Sequence, residues 1–168
     1  MDAAIDILRK KGQKVAAKRQ DRETSEGLVI AKTTADSKKG ILVVLGCETD
    51  FVAKNDAFTQ LANTFTDIAI KNLPTDLTAF KALNFEGSLT VEDKITEQVG
   101  VIGEKLDLNY AIVDADFVLA YNHPGNQVAT IVGFNKDGEV VADVAKQVAL
   151  QVASMAPIAV DKDDVSEE

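Results

Sequence analysis

Apolar and polar positions alternate with two different periods along this chain. Residues 2–20 carry a helical pattern: Ile5 and Leu8 share a face, Gly12 interrupts, and Val15, Ala16 and Ala17 follow among lysines. A two-turn apolar stripe needs something to pack against. The opening therefore reads as the end of a helix in a longer protein. "GLVIAKTTADSKKGILVVLG" predicts a hairpin, with strands at 28–33 and 41–45 and a polar connection between them. "ILVVL" is apolar on both faces, which places it centrally in its sheet.

Phe58, Leu61, Ala62, Phe65, Ile68 and Ala69 fall at helical spacing, with Asn55 or Asp56 as N-cap and Pro74 just beyond the end. A shorter helix is expected over 76–83. Val91, Ile95, Val99, Ile102 and Leu106 form the next stripe, and Thr90 and Asp93 stand at capping-box spacing. "YAIVDADFVLAY" puts Val113, Ala115, Phe117, Leu119 and Tyr121 on one face, as one long strand would. "NHPGNQ" is a turn, "VATIVGFN" a strand and "KDG" a turn. Val141, Val144, Ala145, Val148 and Val152 mark a helix ending before Pro157, and the tail "DKDDVSEE" is polar.

The order hairpin, turn, amphipathic helix occurs at 28–72 and again at 117–155, with Gly46 and Gly133 closing the second strands 87 positions apart. The pattern predicts an α+β fold of two related lobes, each a small antiparallel sheet covered by helices. The first core lobe spans 21–112 and the second 113–168, the latter with a polar tail.

Composition narrows the class. The chain has 168 residues, 46% apolar and 27% charged, which are ordinary values for a globular protein. No apolar stretch approaches the roughly 18 residues of a membrane span. With no secretory signal at the start and a single cysteine, the cytoplasm is the default compartment. The net charge of −9 repels phosphate backbones and anionic lipid, so neither nucleic acid nor a membrane is an expected partner. "RKKGQKVAAKR" is the one basic run, and such a run is usually a solvated helix face.

Catalytic templates fail. There is no phosphate-binding glycine loop, no dinucleotide fingerprint and no cysteine pair for zinc. One cysteine, Cys47, and one histidine, His123, leave no nucleophile–base set, and a cysteine ending an apolar strand is usually a small core residue. No cofactor or metal is expected, and the chain does not read as an enzyme. Two places remain. At Thr49-Asp50-Phe51-Val52, residue types alone favour Thr49 or Asp50 capping a helical turn while Phe51 packs inward. At Tyr121-Asn122-His123-Pro124, a histidine in a polar turn is usually just solvated.

"CETDFVAKND", after a hydrophobic strand and before an amphipathic helix, closely resembles the signature of the elongation factor Ts family. Further matches run in family order. "AIDILRKKGQKVAAKR" resembles the helix and basic linker after the family's N-terminal module, which makes 1–20 the end of that module. "VGVIGEKLDLNY" is similar to the segment entering the central strand, "YNHPGNQVATIVGF" to a tyrosine-x-histidine hairpin, and "VAKQVALQVASMAP" and "DVSEE" to the helix and connection that follow.

The resemblance implies guanine-nucleotide exchange on elongation factor Tu, in support of translation elongation. Asp50 and Phe51 are implied to push into the partner's GTPase domain near its magnesium and phosphate site, flanked by Thr49 and Val52. Ile102, Gly103 and His123 are implied to touch the same domain, and the second lobe to rest on the partner's third domain. Family members are longer, so the chain reads as a core fragment, and the shortened second lobe would have an open strand edge that invites self-association. The alternative is a generic α+β interaction domain sharing the fold without exchange activity. Exposure of Phe51 separates the two: a wedge projects and a core phenylalanine does not.

Overall fold

The computed structural model describes residues 2–136 and 139–165, with side chains described for 7–136 and 141–165. Met1, Asp137 and Gly138 of the "KDG" turn, Ser166 to Glu168 of the tail, and the side chain of Ile5 lie outside these. In chain order come α1 (Asp2–Lys18), β1 (Glu26–Thr33), β2 (Lys39–Cys47), α2 (Asp50–Ala53), α3 (Asp56–Asn72) and α4 (Leu77–Ala82). Then follow β3 (Asn84–Glu86), β4 (Leu89–Thr90), α5 (Val91–Ile102), β5 (Asp107–Asp114), β6 (Phe117–Asn122), β7 (Ala129–Phe134) and α6 (Glu139–Met155). The mixture of helices with small antiparallel sheets is the predicted α+β class.

The main sheet has the order β1-β2-β5, all antiparallel, so "ILVVL" is the central strand. Leu28 pairs with Leu45, and Leu45 with Leu108, across the three strands. Ile41, Val43 and Leu45 point to one face and are fully buried. There they join Phe58, Leu61 and Phe65 of α3, Phe80 of α4, and Val91 and Val99 of α5 in one core. The opposite face meets the β6–β7 hairpin. A Cβ on Gly40 would lie 2.6 Å from Val118, and one on Gly133 would lie 2.8 Å from Val113. Covering on both sides explains why β2 lacks apolar–polar alternation.

The hairpin is also stitched to the outer edge of β1. The Asn122 side chain accepts from Ala31 N at 2.7 Å and donates to Ala31 O at 2.9 Å, and Val29 N donates to Asn126 O at 2.7 Å. A side-chain amide thus does for β1 what a neighbouring strand's backbone would do. On the hairpin's other side, α6 presents Ala145 and Ala149, both fully buried, and Thr130 Oγ1 donates to Ala149 O at 3.2 Å.

The caps of α3 and α5 resolve as the sequence implied. Asn55, rather than Asp56, caps α3, its side chain accepting from Ala57 N at 2.8 Å. Thr90 and Asp93 form a full capping box at the start of α5. Three expectations need correction. The long strand over 110–121 is two strands in different sheets, broken at Ala115–Asp116. The stripe through Leu106 ends earlier as a helix: Gly103, at φ +81°, closes α5, and Leu106 is buried in the following loop. Gly12 does not interrupt α1. It lies against α5, where an added Cβ would be 1.9 Å from Thr96 O, and Gly100 approaches Leu8 O in return. The short β3–β4 hairpin had no counterpart in the sequence reading.

Candidate functional site

β2 ends at Cys47, and the chain turns through Glu48 and Thr49 into α2, a single turn of four residues. Two of those residues anchor it: Ala53 is buried and Val52 packs partly against the core. The other two face outward. Phe51 is 83% exposed, and Asp50 is ion-paired with Lys54 at 2.7 Å, one helical turn on. The Lys54 ammonium, bonded to Asp50, holds that carboxyl below its ordinary value. Inward packing of Phe51, the reading favoured by residue type, is therefore overturned. The capping expectation also changes. Thr49 occupies the N-cap position but makes no side-chain cap bond.

The Thr49 hydroxyl instead donates to Glu104 Oε1 at 2.6 Å. Glu104 Oε2 accepts from Glu48 N at 3.0 Å and from Thr49 N at 3.1 Å. In the reverse direction, Glu48 Oε1 accepts from Lys105 N at 2.7 Å, while Glu48 Oε2 accepts from Arg19 at 2.6 Å. Lys105 Nζ closes the group on Gln20 O and Arg22 O, both at 3.0 Å. Two segments more than fifty residues apart in sequence are thus clasped by reciprocal carboxylate-to-amide bonds. Charge-assisted bonds of this kind are the stronger class.

The clasp brings the Thr49–Val52 turn beside the end of α5, where Ile102 is partly buried and Gly103 takes the left-handed conformation that ends the helix. A Cβ at Gly103 would meet nothing within 4 Å, so its role is conformational and its surface open. Val101, 54% exposed, adds an apolar side chain that the sequence reading passed over. Its signal was an extra apolar residue off the α5 stripe.

His123 stands apart from this group. It is exposed in the β6–β7 turn, with Nδ1 2.9 Å from the Tyr121 hydroxyl. The turn joins β1 at Val29 and Ala31, whereas the end of β2 pairs with Glu26. At about 3.3 Å per residue the two places are offset by roughly 10–17 Å along the strand.

The Cys47 thiol is fully buried, and its pKa is pushed up to about 11, chiefly by burial and next by the Glu104 charge, so it is no thiolate at neutral pH. Among the described residues no cluster of His, Cys, Asp or Glu could hold a metal. No helix there is long and apolar enough to cross a membrane.

The clasp carries a pH signature. Lys105 N–H, and then Arg19, hold the Glu48 carboxyl below its ordinary value of 4.5 against desolvation. A depressed folded value stabilises the fold above the unfolded value, and that contribution is lost as the pH falls through the folded one. Glu48→Gln should therefore lower the neutral-pH melting temperature and flatten its fall into acid. Melting curves between pH 7 and 3 test this, and parallel curves for the two proteins would contradict the assignment.

Comparison with known proteins bears on the whole assembly. A family model described as Elongation factor TS matches residues 48–168. The chain belongs to the elongation factor Ts family. Among its curated relatives, elongation factor Ts of Christiangramia forsetii is 46% identical over 167 residues, covering 99% of this chain and 60% of the relative. That of Amoebophilus asiaticus is 45% identical over 167 residues, covering 98% and 60%. That of Bacteroides thetaiotaomicron is 47% identical over 169 residues, covering 99% and 50%. The chain thus spans between half and three fifths of the length of these elongation factor Ts proteins.

Proposed function

We propose that the chain is the core of a guanine-nucleotide exchange factor, one that binds elongation factor Tu with GDP and promotes GDP release. Asp50 and Phe51 enter the partner's GTPase domain near the magnesium and phosphate site, flanked by Thr49 and Val52. Ile102, Gly103 and His123 rest on the same domain, and the second lobe on the partner's third domain. The observation that carries this reading is the exposed Phe51 ring on a turn anchored from both sides.

The mechanism needs no bond-making side chain. Bound GDP is held by phosphate-loop amides and by magnesium, whose charge largely neutralises the phosphates. A rigid apolar intrusion that displaces those contacts weakens the nucleotide without touching the base. Coupling is reciprocal: if the factor lowers nucleotide affinity, the nucleotide lowers the factor's affinity equally. Each ligand can then expel the other, which makes exchange cyclic.

Stopped-flow release of fluorescent GDP from elongation factor Tu tests the reading. Adding the chain should accelerate release, and an unchanged rate at saturating chain would overturn the proposal. His123→Ala should slow the accelerated rate by about two- to tenfold, the scale of one exposed hydrogen-bonding contact. A rate equal to that of the unaltered chain would remove His123 from the contact.

A further inference from the structure

We propose that Glu104 is a positioning residue that sets the angle of the Asp50–Phe51 turn and couples it to Ile102–Gly103. This rests on the exchange reading above. Three donors converge on the one carboxylate: the amides of Glu48 and Thr49 and the Thr49 hydroxyl, at 3.0, 3.1 and 2.6 Å. No other side chain of the described residues bonds to these three groups. α2 is too short to hold its own direction, having four residues and no side-chain cap at Thr49. Ala53 and Val52 hold its far side, and what grips the two residues before it sets its direction at the near end.

Glu104 can grip them because Gly103, left-handed at φ +81°, turns the chain back from α5 toward the end of β2. Glu48 reciprocates by taking Lys105 N at 2.7 Å, so neither loop can shift without the other. A wedge acts only when its support is stiffer than what it displaces. Glu104 supplies that stiffness through its bonds to Glu48 and Thr49.

The test combines exchange kinetics with local hydrogen exchange on the intact chain. Glu104→Ala should slow factor-stimulated GDP release about tenfold, since misplacing a working group by about 1 Å is enough for such a loss. Glu104→Gln should keep most of the rate, because its amide oxygen can still accept from both backbone amides. In a Phe51→Ala background, Glu104→Ala should change release by less than twofold, because it acts through the ring. The Glu48 and Thr49 amides should lose hydrogen-exchange protection in Glu104→Ala, while Val43 in the central strand keeps its own.

A Glu104→Ala protein that releases GDP like the unaltered chain overturns the positioning role and leaves the exchange reading standing. So does an equal slowing in both backgrounds, or unchanged protection at Thr49. If Phe51→Ala itself has no effect, Phe51 is not the wedge and this proposal falls with that assignment, whereas a chain that does not accelerate release at all overturns the exchange reading.

Discussion

Phe51→Ala is expected to abolish most of the acceleration of GDP release while leaving the fold intact. Truncating an aromatic anchor at the centre of an interface costs about 2 kcal/mol or more, roughly 30-fold in rate if the contact is made as the nucleotide leaves. The ring is 83% exposed in the free chain, so its removal opens no cavity here. Substitutions at such positions usually change stability by less than about 0.5 kcal/mol. The two numbers separate the hypotheses. An interaction wedge gives a large kinetic loss with an unchanged melting temperature. A ring with no partner gives neither, and equal release rates for the two proteins would end its assignment as the wedge. A fall in melting temperature with no kinetic loss would place the ring in this molecule's own packing. Asp50 should behave differently, because its carboxylate is already engaged by Lys54 at 2.7 Å and must leave that pair to act elsewhere.

Much of the architecture was readable from side-chain periods, and the failures have local causes. The central position of β2, the α3 stripe and the Thr90–Asp93 box follow from patterns that one element must satisfy alone. The break at Ala115–Asp116 does not, because apolar residues keep a period of two straight through it. What ends β5 is its neighbour: β2 begins at Lys39, paired with Asp114, and beyond that point Ala115 N reaches only Lys38 O in the turn. A strand that runs past its partner must bend or find another, and here β6 pairs with β7. The clasp was hidden for a related reason. Glu48 and Glu104 each look like a solvated charge next to a loop, and only the fold brings each to the other's backbone. At Phe51, residue type pointed inward, and the family resemblance pointed outward to the position the structure shows.

Gly12→Ala is expected to destabilise the chain, although the same change in an exposed helix would stabilise it. Alanine improves helix propensity over glycine by about 1 kcal/mol. Against that, a Cβ at residue 12 would lie 1.9 Å from Thr96 O, a backbone atom that cannot rotate away. The helices must separate, and overpacking of this kind costs about 1–3 kcal/mol before the lost contacts are added. The penalty should win, lowering the melting temperature by several degrees at about 2–4 °C per kcal/mol for a domain of this size. Gly100→Ala should do likewise, since its Cβ would lie 2.5 Å from Leu8 O. The double variant should cost less than the sum, because helices already pushed apart have room for the second methyl. Separation would also strain the Arg9–Asp93 pair across this crossing and loosen Arg19, just past α1, from Glu48. A melting temperature that rises in Gly12→Ala would mean that α1 does not rest on α5 at this point, and that the arm feeding Arg19 into the clasp is free.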